Sequence, residues 1–178
     1  MMNKDRGEKM IINYYEFSTK LGKMAIYFNK DGLYGLSFLR DKDDKNHNYI
    51  SKNFKVVKKV EEDIYGYANE ILKYINGEIR EFSVPIKLFG TEFQRKVWNE
   101  LINIPYGETR TYKDIANSIE CPKGFRAVGG ALNKNPIPLI IPCHRVIGSN
   151  GKLVGFAGGL ELKEKLLKIE IDNKENLK

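Results

Sequence analysis

Apolar and polar residues in the first part of the chain follow a pattern that is typical of a small sheet. Residues 11–17 are rich in β-branched and aromatic side chains, and two further runs, at 24–28 and 33–39, flank the turn sequence Asn-Lys-Asp-Gly at 29–32. This pattern predicts three strands, the last two joined as a hairpin. The polar residues 40–48 that follow predict a loop.

One helix is predicted after this loop. Its apolar residues recur at helical spacing: Val60, Ile64, Tyr67, Ala68, Ile71, Leu72 and Ile75. Gly77 ends the helix. No pattern in this part indicates chemistry, and His47 is expected to be solvated within the polar loop. The first part is therefore predicted to be an α/β scaffold that extends to a boundary near Phe89 and Gly90.

The second part predicts three short helices and a longer final one. Thr91 and Gln94 form a capping-box pattern that begins the first helix, and Thr111 with Asp114 begins the second. A third helix is expected from residue 125 or 126 to about 132. Helices of this size joined by a short break are a helix-turn-helix candidate. The final helix has an apolar face made of Leu160, Leu162, Leu166, Leu167 and Ile169.

Two adjacent glycines lie inside the third helix. Gly129 and Gly130 each cost about 1 kcal/mol relative to alanine in a helix interior, so something must offset them. Either they let another backbone, of protein or DNA, approach closely, or they serve helix packing inside the protein. Both explanations are open at this point. Arg126 lies near the start of this helix, where phosphate binding is favoured.

Composition narrows the class of protein. The 178 residues are 42% hydrophobic and 30% charged, which is typical of a globular chain with a substantial core. No apolar stretch could cross a membrane and no secretory signal is visible, so a cytoplasmic location is expected. Two cysteines make a poor disulfide framework and, with two scattered histidines, a poor structural zinc site. Neither a metal nor a cofactor is therefore expected.

The distribution of charge is more informative than the net charge of +7. Between residues 121 and 160 the chain has no acidic residue. It has five basic ones: Lys123, Arg126, Lys134, Arg145 and Lys152. Such a surface would attract a phosphate backbone. The alternative is a loop-rich segment that happens to lack acids, and charge alone favours nucleic-acid binding only slightly.

The segment Ile-Pro-Cys-His-Arg-Val at 141–146 holds a candidate nucleophile. A cysteine reacts as its thiolate, and a nearby base or positive charge favours that form. Cys143 is followed directly by His144 and Arg145. Glu170, near the end of the final helix, is a candidate for the acid that would complete a Cys-His-acid arrangement. A buried structural cysteine beside a polar turn is the alternative, and these residues alone leave the two equally open.

Further motifs accompany this segment in order and at matching spacing. They are Gly-Thr-Glu-Phe-Gln at 90–94, Val-Trp at 97–98, Ile-Pro-Tyr-Gly-Glu-Thr at 104–109, Thr-Tyr at 111–112, Arg-Ala-Val-Gly-Gly-Ala at 126–131, Asn-Pro at 135–136 and Gly-Gly-Leu at 158–160. Together they resemble the O6-alkylguanine-DNA alkyltransferases (methylated-DNA–protein-cysteine methyltransferases) over roughly the second half of the chain. The first half is only compatible with the variable N-terminal domain of that family.

The resemblance implies an α+β fold of two domains. Residues 1–89 would form a small ribonuclease H-like sheet with a helix, and residues 90–178 a mostly helical, winged-helix-like DNA-binding domain. The implied activity is the irreversible, single-turnover transfer of an alkyl group from O6-alkylguanine in double-stranded DNA to Cys143, with O4-alkylthymine as a second candidate substrate. The protein would act as a monomer, away from membranes and without a cofactor.

The same resemblance implies catalytic roles. Cys143 would accept the alkyl group, His144 would take the thiol proton through a water, and Glu170 would orient His144. Asn135 would hold the backbone turn beneath the site. Tyr112 would press on a phosphate and donate toward the guanine ring as the base leaves the stack.

It also implies the residues that contact DNA. Arg126 would enter the duplex and fill the gap left by the flipped base, with its helix in the minor groove. The other DNA-binding residues would be Thr111, Tyr112, Lys123, Ala127, Gly129, Gly130 and Lys134. The base pocket would be formed by Cys143, Val146, Val154, Gly155, Phe156, Ala157 and Gly158. Phe156 and Ala157 depart from the tyrosine and serine that are common in the family.

Two other functions fit part of the pattern. A non-enzymatic module that binds DNA or senses lesions would leave Cys143 unchanged. A cysteine hydrolase would act on a small substrate with His144 as its base and without DNA. Members of related groups that only bind lesions replace the cysteine, so Cys143 argues against the first alternative.

Overall fold

A four-stranded sheet and six helices make up the protein, in a computed structural model that describes residues 10–39, 45–54 and 56–175. In chain order the elements are β1 (Ile11–Thr19), β2 (Gly22–Asn29), β3 (Gly32–Phe38), α1 (Lys45–Asn53), β4 (Val56–Lys59), α2 (Tyr67–Asn76), α3 (Glu92–Ile102), β5 (Arg110–Thr111), α4 (Tyr112–Ser118), α5 (Phe125–Leu132), a 3₁₀ turn (Cys143–Arg145), β6 (Val146–Ile147) and α6 (Leu160–Glu175). The mixture of sheet and helices agrees with the expected α+β class.

The main sheet has the strand order β3-β2-β1-β4, with β1 and β4 parallel and the other pairs antiparallel. The three predicted strands and the hairpin between β2 and β3 are confirmed. Gly32 ends the hairpin turn with φ of +141°, and a Cβ there would lie 2.4 Å from the carbonyl oxygen of Pro85. Glycine is therefore needed at this turn both for its backbone angle and for the close approach of a neighbouring segment.

Two predictions for residues 40–75 are wrong in part. The polar run contains α1, which begins at Lys45, whereas residues 40–44 lie outside the described residues. Among the side chains described in this segment, Ile50 and the adjoining Phe54 are the buried ones, and so few apolar residues leave little helical periodicity in the sequence. The later helix begins at Tyr67 rather than near Val60, because Gly66 adopts a left-handed conformation with φ of 75° at its N-terminus.

His47 is half-buried on α1, so the prediction of a solvated histidine is wrong. Its Nδ1 lies 3.2 Å from the hydroxyl of Tyr27, and its ring packs edge-on against Tyr14 at a centroid distance of 5.6 Å. The physical reason is that α1 lies against the face of the sheet that carries these two tyrosines.

The apolar core is continuous across the expected domain boundary. One cluster of buried side chains contains Leu36 from β3, Ile71 from α2, Trp98 from α3, Val128 from α5 and Leu162 from α6. The division at residues 89 and 90 stays a prediction, since both parts of the chain share this core. No helix in the described part of the chain combines the length and the apolar character needed to cross a bilayer.

The two predicted capping boxes are confirmed at α3 and α4. Thr91 accepts from the N–H of Gln94 and Thr111 from that of Asp114, and each partner side chain accepts in return. Helices α4 and α5 pack together, and α3 supports α5 through Trp98, whose indole N–H donates to the carbonyl of Ala131 at 2.9 Å. The position of α5 therefore depends on a fully buried tryptophan.

We expect Trp98→Ala to lower the free energy of unfolding by about 3–5 kcal/mol, because it leaves a large cavity in the core and removes the hydrogen bond of the indole N–H to the Ala131 carbonyl. Urea unfolding followed by far-UV circular dichroism measures this loss. Ile64→Ala is the control, since Ile64 is 70% exposed and its truncation should change stability by less than about 0.5 kcal/mol. Equal effects of the two substitutions would contradict the prediction.

Candidate active site

Cys143 begins the 3₁₀ turn and is buried, with 6% of its surface exposed. Asn135 holds this turn through three hydrogen bonds. Its amide nitrogen donates to the carbonyl of Ile141 at 2.8 Å and to the Cys143 sulfur at 3.1 Å, and its amide oxygen accepts from the N–H of Ile137 at 3.0 Å. The predicted site residues Asn135 and Cys143 are therefore in direct contact.

The Cys143 thiol is mainly protonated in this environment. Burial raises its pKa to about 11, although the hydrogen bond from Asn135 and the positive charge of Lys163 act in the opposite direction. A thiol with so high a pKa forms little thiolate at neutral pH without help. A base that removes the proton as the thiol reacts is therefore a chemical requirement of this site.

His144 and Glu170 meet in the interior, where both side chains are fully buried. The distance from His144 Nε2 to Glu170 Oε1 is 2.5 Å. Burial lowers the pKa of His144, as do the charges of Arg145 and Lys163, and these effects outweigh the carboxylate of Glu170. The imidazole is therefore neutral, and because a carboxylate only accepts hydrogen bonds, its proton lies on Nε2.

The other ring nitrogen of His144 is free to accept a proton. Nδ1 is buried and has no hydrogen-bond partner within the described part of the chain. A buried polar atom without a partner is costly and is commonly found where a ligand or a reacting group belongs. The histidine that follows Cys143 in the sequence thus offers a neutral, unpaired acceptor within the same buried region.

Glu170 is the centre of a larger network. Its carboxylate also accepts from the backbone N–H of Gly107 at 2.7 Å, from the hydroxyl of Tyr74, and from Nε of Arg145 at 3.0 Å. Burial alone would raise the pKa of Glu170, but the hydrogen bond from His144, the charge of Arg145 and the hydrogen bond from the Tyr74 hydroxyl lower it to about 2. Glu170 is therefore ionised, and it lies within α6 rather than near its end.

Arg145 is not part of a basic surface, which corrects an expectation from the sequence. It is buried, and besides Glu170 it contacts the carbonyl of Ile104 through Nη1 at 2.5 Å and the ring of Tyr106 at 5.6 Å. The partner of Arg145 is Glu170, which lies outside the acid-free segment 121–160. The distribution of charge within that segment therefore does not reveal that Arg145 is buried against a carboxylate.

Lys163 is a site residue that the sequence analysis missed. Its side chain is fully buried, and its ammonium donates to the carbonyls of Val146 at 2.5 Å, Val154 at 2.8 Å and Gly155 at 3.5 Å. Burial lowers its pKa to about 8, against a raising effect of Cys143. The available signal was its spacing, because Lys163 is two helical turns before Glu170 and therefore lies on the same side of α6.

The loop at 154–158 lies beside these groups, through contacts with Tyr112 and Lys163. Tyr112 donates to the carbonyl of Val154 at 3.2 Å, and its pKa is raised by burial and by the nearby Cys143.

The predicted pocket residues differ in their exposure and contacts. Phe156 packs edge-on against Phe38 at a centroid distance of 6.4 Å. A Cβ at Gly158 would lie 2.7 Å from Leu162. Of the remaining predicted pocket residues, Val146 is buried, whereas Gly155 and Ala157 are exposed.

Helix α5 presents an exposed face. Its predicted DNA-binding residues Arg126, Ala127 and Gly130 are exposed, as are the flanking Lys123 and Lys134. Thr111 and Gly129 are half-buried.

Neither glycine of α5 is required by packing inside the protein. A Cβ at Gly130 would meet nothing within 4 Å, and one at Gly129 would make an ordinary contact of 3.7 Å with Tyr112. The explanation by internal packing is therefore wrong, and close approach of something outside the protein remains.

The described residues contain no group of three or more His, Cys, Asp or Glu side chains that could hold a metal ion. The thiol of Cys143, the acceptor nitrogen of His144 and the ammonium of Lys163 are the reactive or charged groups assembled at the site.

Comparison with known proteins relates this arrangement to one family. Residues 92–171 match the family model of the 6-O-methylguanine DNA methyltransferase, DNA binding domain. The methylated-DNA–protein-cysteine methyltransferase of Methanosarcina barkeri is 45% identical over 161 residues, covering 90% of this chain and 98% of that protein.

Two solved structures are similar throughout. Mycobacterium tuberculosis OGT in complex with DNA has a TM-score of 0.80 at 37% identity, covering 90% of this chain and 94% of that one. The O6-methylguanine-DNA methyltransferase of Pyrococcus kodakaraensis has a TM-score of 0.71 at 26% identity, covering 88% and 98%.

We expect Glu170→Gln to lower the free energy of unfolding at neutral pH by about 3–5 kcal/mol, because Arg145 would stay buried without its counter-charge. The low pKa of Glu170 means that its stabilisation is present above the ordinary carboxyl pKa and is lost as pH falls toward 2. The difference from the wild-type protein should therefore narrow with falling pH.

Urea unfolding at neutral pH and at about pH 3 measures this difference. Glu161→Gln on the same helix is the control, since Glu161 forms an exposed pair with Lys165 and its replacement should cost less than about 1 kcal/mol. A Glu170→Gln deficit that is the same at both pH values would show that the carboxylate charge is not what stabilises the fold.

Proposed function

Because the chain belongs to the methylated-DNA–protein-cysteine methyltransferase family, we propose that it repairs DNA by moving the alkyl group of O6-alkylguanine to Cys143. The observation that carries this proposal is the buried Cys143 thiol beside a neutral His144 whose Nδ1 is unpaired. The Cys143 thiol, whose proton has to be removed, and the His144 imidazole, which can accept that proton, lie in the same buried region, away from bulk water.

The proposed reaction balances without a cofactor. The thiol proton of Cys143 passes, through a water, to Nδ1 of His144, while Glu170 stabilises the imidazolium that forms. The thiolate attacks the alkyl carbon, so a sulfur–carbon bond forms as the carbon–O6 bond breaks, and the electron pair goes to the guanine. The guanine takes up a proton and is released. The thioether that forms is a poor alkyl donor, because its carbon could be attacked only with a thiolate as the leaving group, so the alkyl group stays on Cys143 and the protein works once.

The target base has to leave the helix to meet this thiol. Cys143 is only 6% exposed, and O6 of a stacked guanine lies within the duplex, so the nucleotide is flipped out at a cost of about a few kcal/mol. Arg126 fills the gap, and Tyr112 presses on a phosphate and donates toward the guanine ring. The exposed Gly130 allows the minor-groove backbone to approach α5 closely.

The flipped base is held by the remaining predicted pocket residues. The carbonyls of Cys143 and Val146 accept from its exocyclic amine. The Val146 carbonyl already accepts from Lys163, but a carbonyl oxygen has two lone pairs and can accept twice. Phe156 walls the pocket, and the backbone N–H of Ala157 is directed to the base oxygen, so neither departure from the usual family residue removes this function.

The proposal also includes the division of the chain into two parts, the oligomeric state and the contacts with the DNA backbone. Residues 90–178 form the winged-helix-like alkyltransferase part, which contains the matched range 92–171, and residues 1–89 form a ribonuclease H-like scaffold. The protein acts as a monomer on double-stranded DNA, in the cytoplasm. Thr111, Lys123, Ala127, Gly129 and Lys134 support binding through the backbone, which is sequence-tolerant and salt-sensitive.

Methyl transfer to Cys143 is the direct test of the proposal. Incubation with duplex DNA that contains O6-methylguanine should place one methyl group per protein on the Cys143 peptide, as mapped by mass spectrometry. Cys143→Ala should abolish transfer, whereas Cys121→Ala, the matched control, should keep it. Repaired DNA with an unmodified Cys143, or intact lesions with an unmodified protein, would refute the proposal and favour a hydrolase or a lesion-sensing module respectively.

Arg126→Ala should slow repair of duplex DNA by at least about tenfold, a loss of roughly 1.4 kcal/mol, because nothing replaces the stacking of the flipped base. Its reaction with free O6-benzylguanine should be nearly unchanged, since that substrate needs no base flipping. Single-turnover rates on both substrates provide the comparison. Equal losses on the two substrates would remove Arg126 from the base-flipping step.

A further inference from the structure

Lys163 is a buried cation whose hydrogen bonds join two walls of the proposed base pocket. Its ammonium donates to the carbonyl of Val146, directly after the turn that carries Cys143, and to the carbonyls of Val154 and Gly155 in the pocket loop. Desolvating a lysine is costly unless hydrogen bonds or charges compensate. Within the described residues it forms no salt bridge with a carboxylate.

These hydrogen bonds act as a fastening between two segments. Val146 begins β6, which pairs with β5 beside α4, whereas Val154 and Gly155 belong to the exposed loop before α6. The hydroxyl of Tyr112 also donates to this loop, at the carbonyl of Val154. Removal of the Lys163 ammonium would break the hydrogen bonds that join the loop to Val146 and leave the one from Tyr112 in place.

The positive charge of Lys163, held against the carbonyl of Val146, affects the reacting groups. The ionisable groups that feel it are Cys143, whose pKa it lowers, and His144, whose pKa it also lowers. Tyr112 faces Cys143 from α4. Glu170 lies on the same helix, but Arg145 already supplies its counter-charge and His144 pairs with it by a hydrogen bond. A thiolate formed at Cys143 is therefore the negative charge that Lys163 is placed to stabilise.

We propose that Lys163 is a positioning residue for alkyl transfer, which holds the loop at 154–155 against Val146 and stabilises the Cys143 thiolate as it forms. The role in alkyl transfer rests on the proposed function. The stabilisation of the thiolate does not, since it concerns a group of the protein itself and can be measured without DNA.

The test measures thiolate formation with a reagent that needs neither DNA nor a flipped base. In a Cys121→Ala background, the rate of Cys143 alkylation by iodoacetamide is followed as a function of pH. Lys163→Met keeps the volume of the side chain but loses its charge and its donors. Lys163→Gln loses the charge and keeps a donor. Lys168→Met, at an exposed position of the same helix, is the control.

Both Lys163 substitutions should slow alkylation at neutral pH by about tenfold, because one pKa unit is a tenfold change in thiolate. The difference from the parent protein should narrow above about pH 8, where Lys163 itself loses its charge. Lys168→Met should leave the profile unchanged. On free O6-benzylguanine, Lys163→Met should lose more activity than Lys163→Gln, because only the latter still fastens the loop. Circular dichroism checks folding, and Lys163→Gln decides the question if Lys163→Met does not fold.

An unchanged pH profile in folded Lys163 variants would overturn the proposal, because a merely structural lysine would not shift thiolate formation. Equal losses of the two variants on O6-benzylguanine would overturn the fastening of the loop. A shifted iodoacetamide profile in a protein that never transfers an alkyl group would refute the proposed function and leave the effect of Lys163 on the thiol established.

Discussion

The Glu170 carboxylate is buried on α6 where three other segments of the chain meet, and each segment donates hydrogen bonds to it. Helix α2 supplies the Tyr74 hydroxyl, the turn after α3 supplies the N–H of Gly107, and the 3₁₀ turn supplies His144 and Arg145. A buried charge is tolerated only when its partners are all in place. The positions of these segments are therefore coupled through one ionised group.

This coupling explains how a turn of three residues can carry precise chemistry. Asn135 holds the backbone of the turn from one side and Glu170 holds its side chains from the other. His144 is thereby fixed as a neutral imidazole with Nε2 paired and Nδ1 unpaired. Glu170 and Arg145 carry opposite charges that balance each other. His144 therefore stays neutral within the network and can accept a proton.

In the proposed function, the site and the α5 surface divide the work of repair. The Cys143 thiol lies in the interior, away from bulk water, and the damaged base is delivered to it. Helix α5 presents Arg126 and two glycines that internal packing does not need, on a surface where an external backbone can approach. Trp98 connects the two by supporting α5 from the shared core. Recognition of damage and its chemistry thus depend on the same packed interior.

The sequence by itself determined β1, β2 and β3, the capping boxes and the segment that carries Cys143, because these depend on residues close together in the chain. It did not predict β4. It also paired Cys143 with His144 and indicated Glu170, through local adjacency and through motifs at matching spacing. It missed α1 and the start of α2, where few apolar residues or a left-handed Gly66 override the periodicity.

Only the tertiary structure decided which charges are buried. Arg145 and Lys163 are ordinary basic residues in the sequence, yet one neutralises Glu170 and the other joins two pocket walls. His47 is likewise half-buried rather than solvated, because α1 lies against the sheet. Burial and partnership arise between residues far apart in the chain, and no local pattern of residue types contains that information.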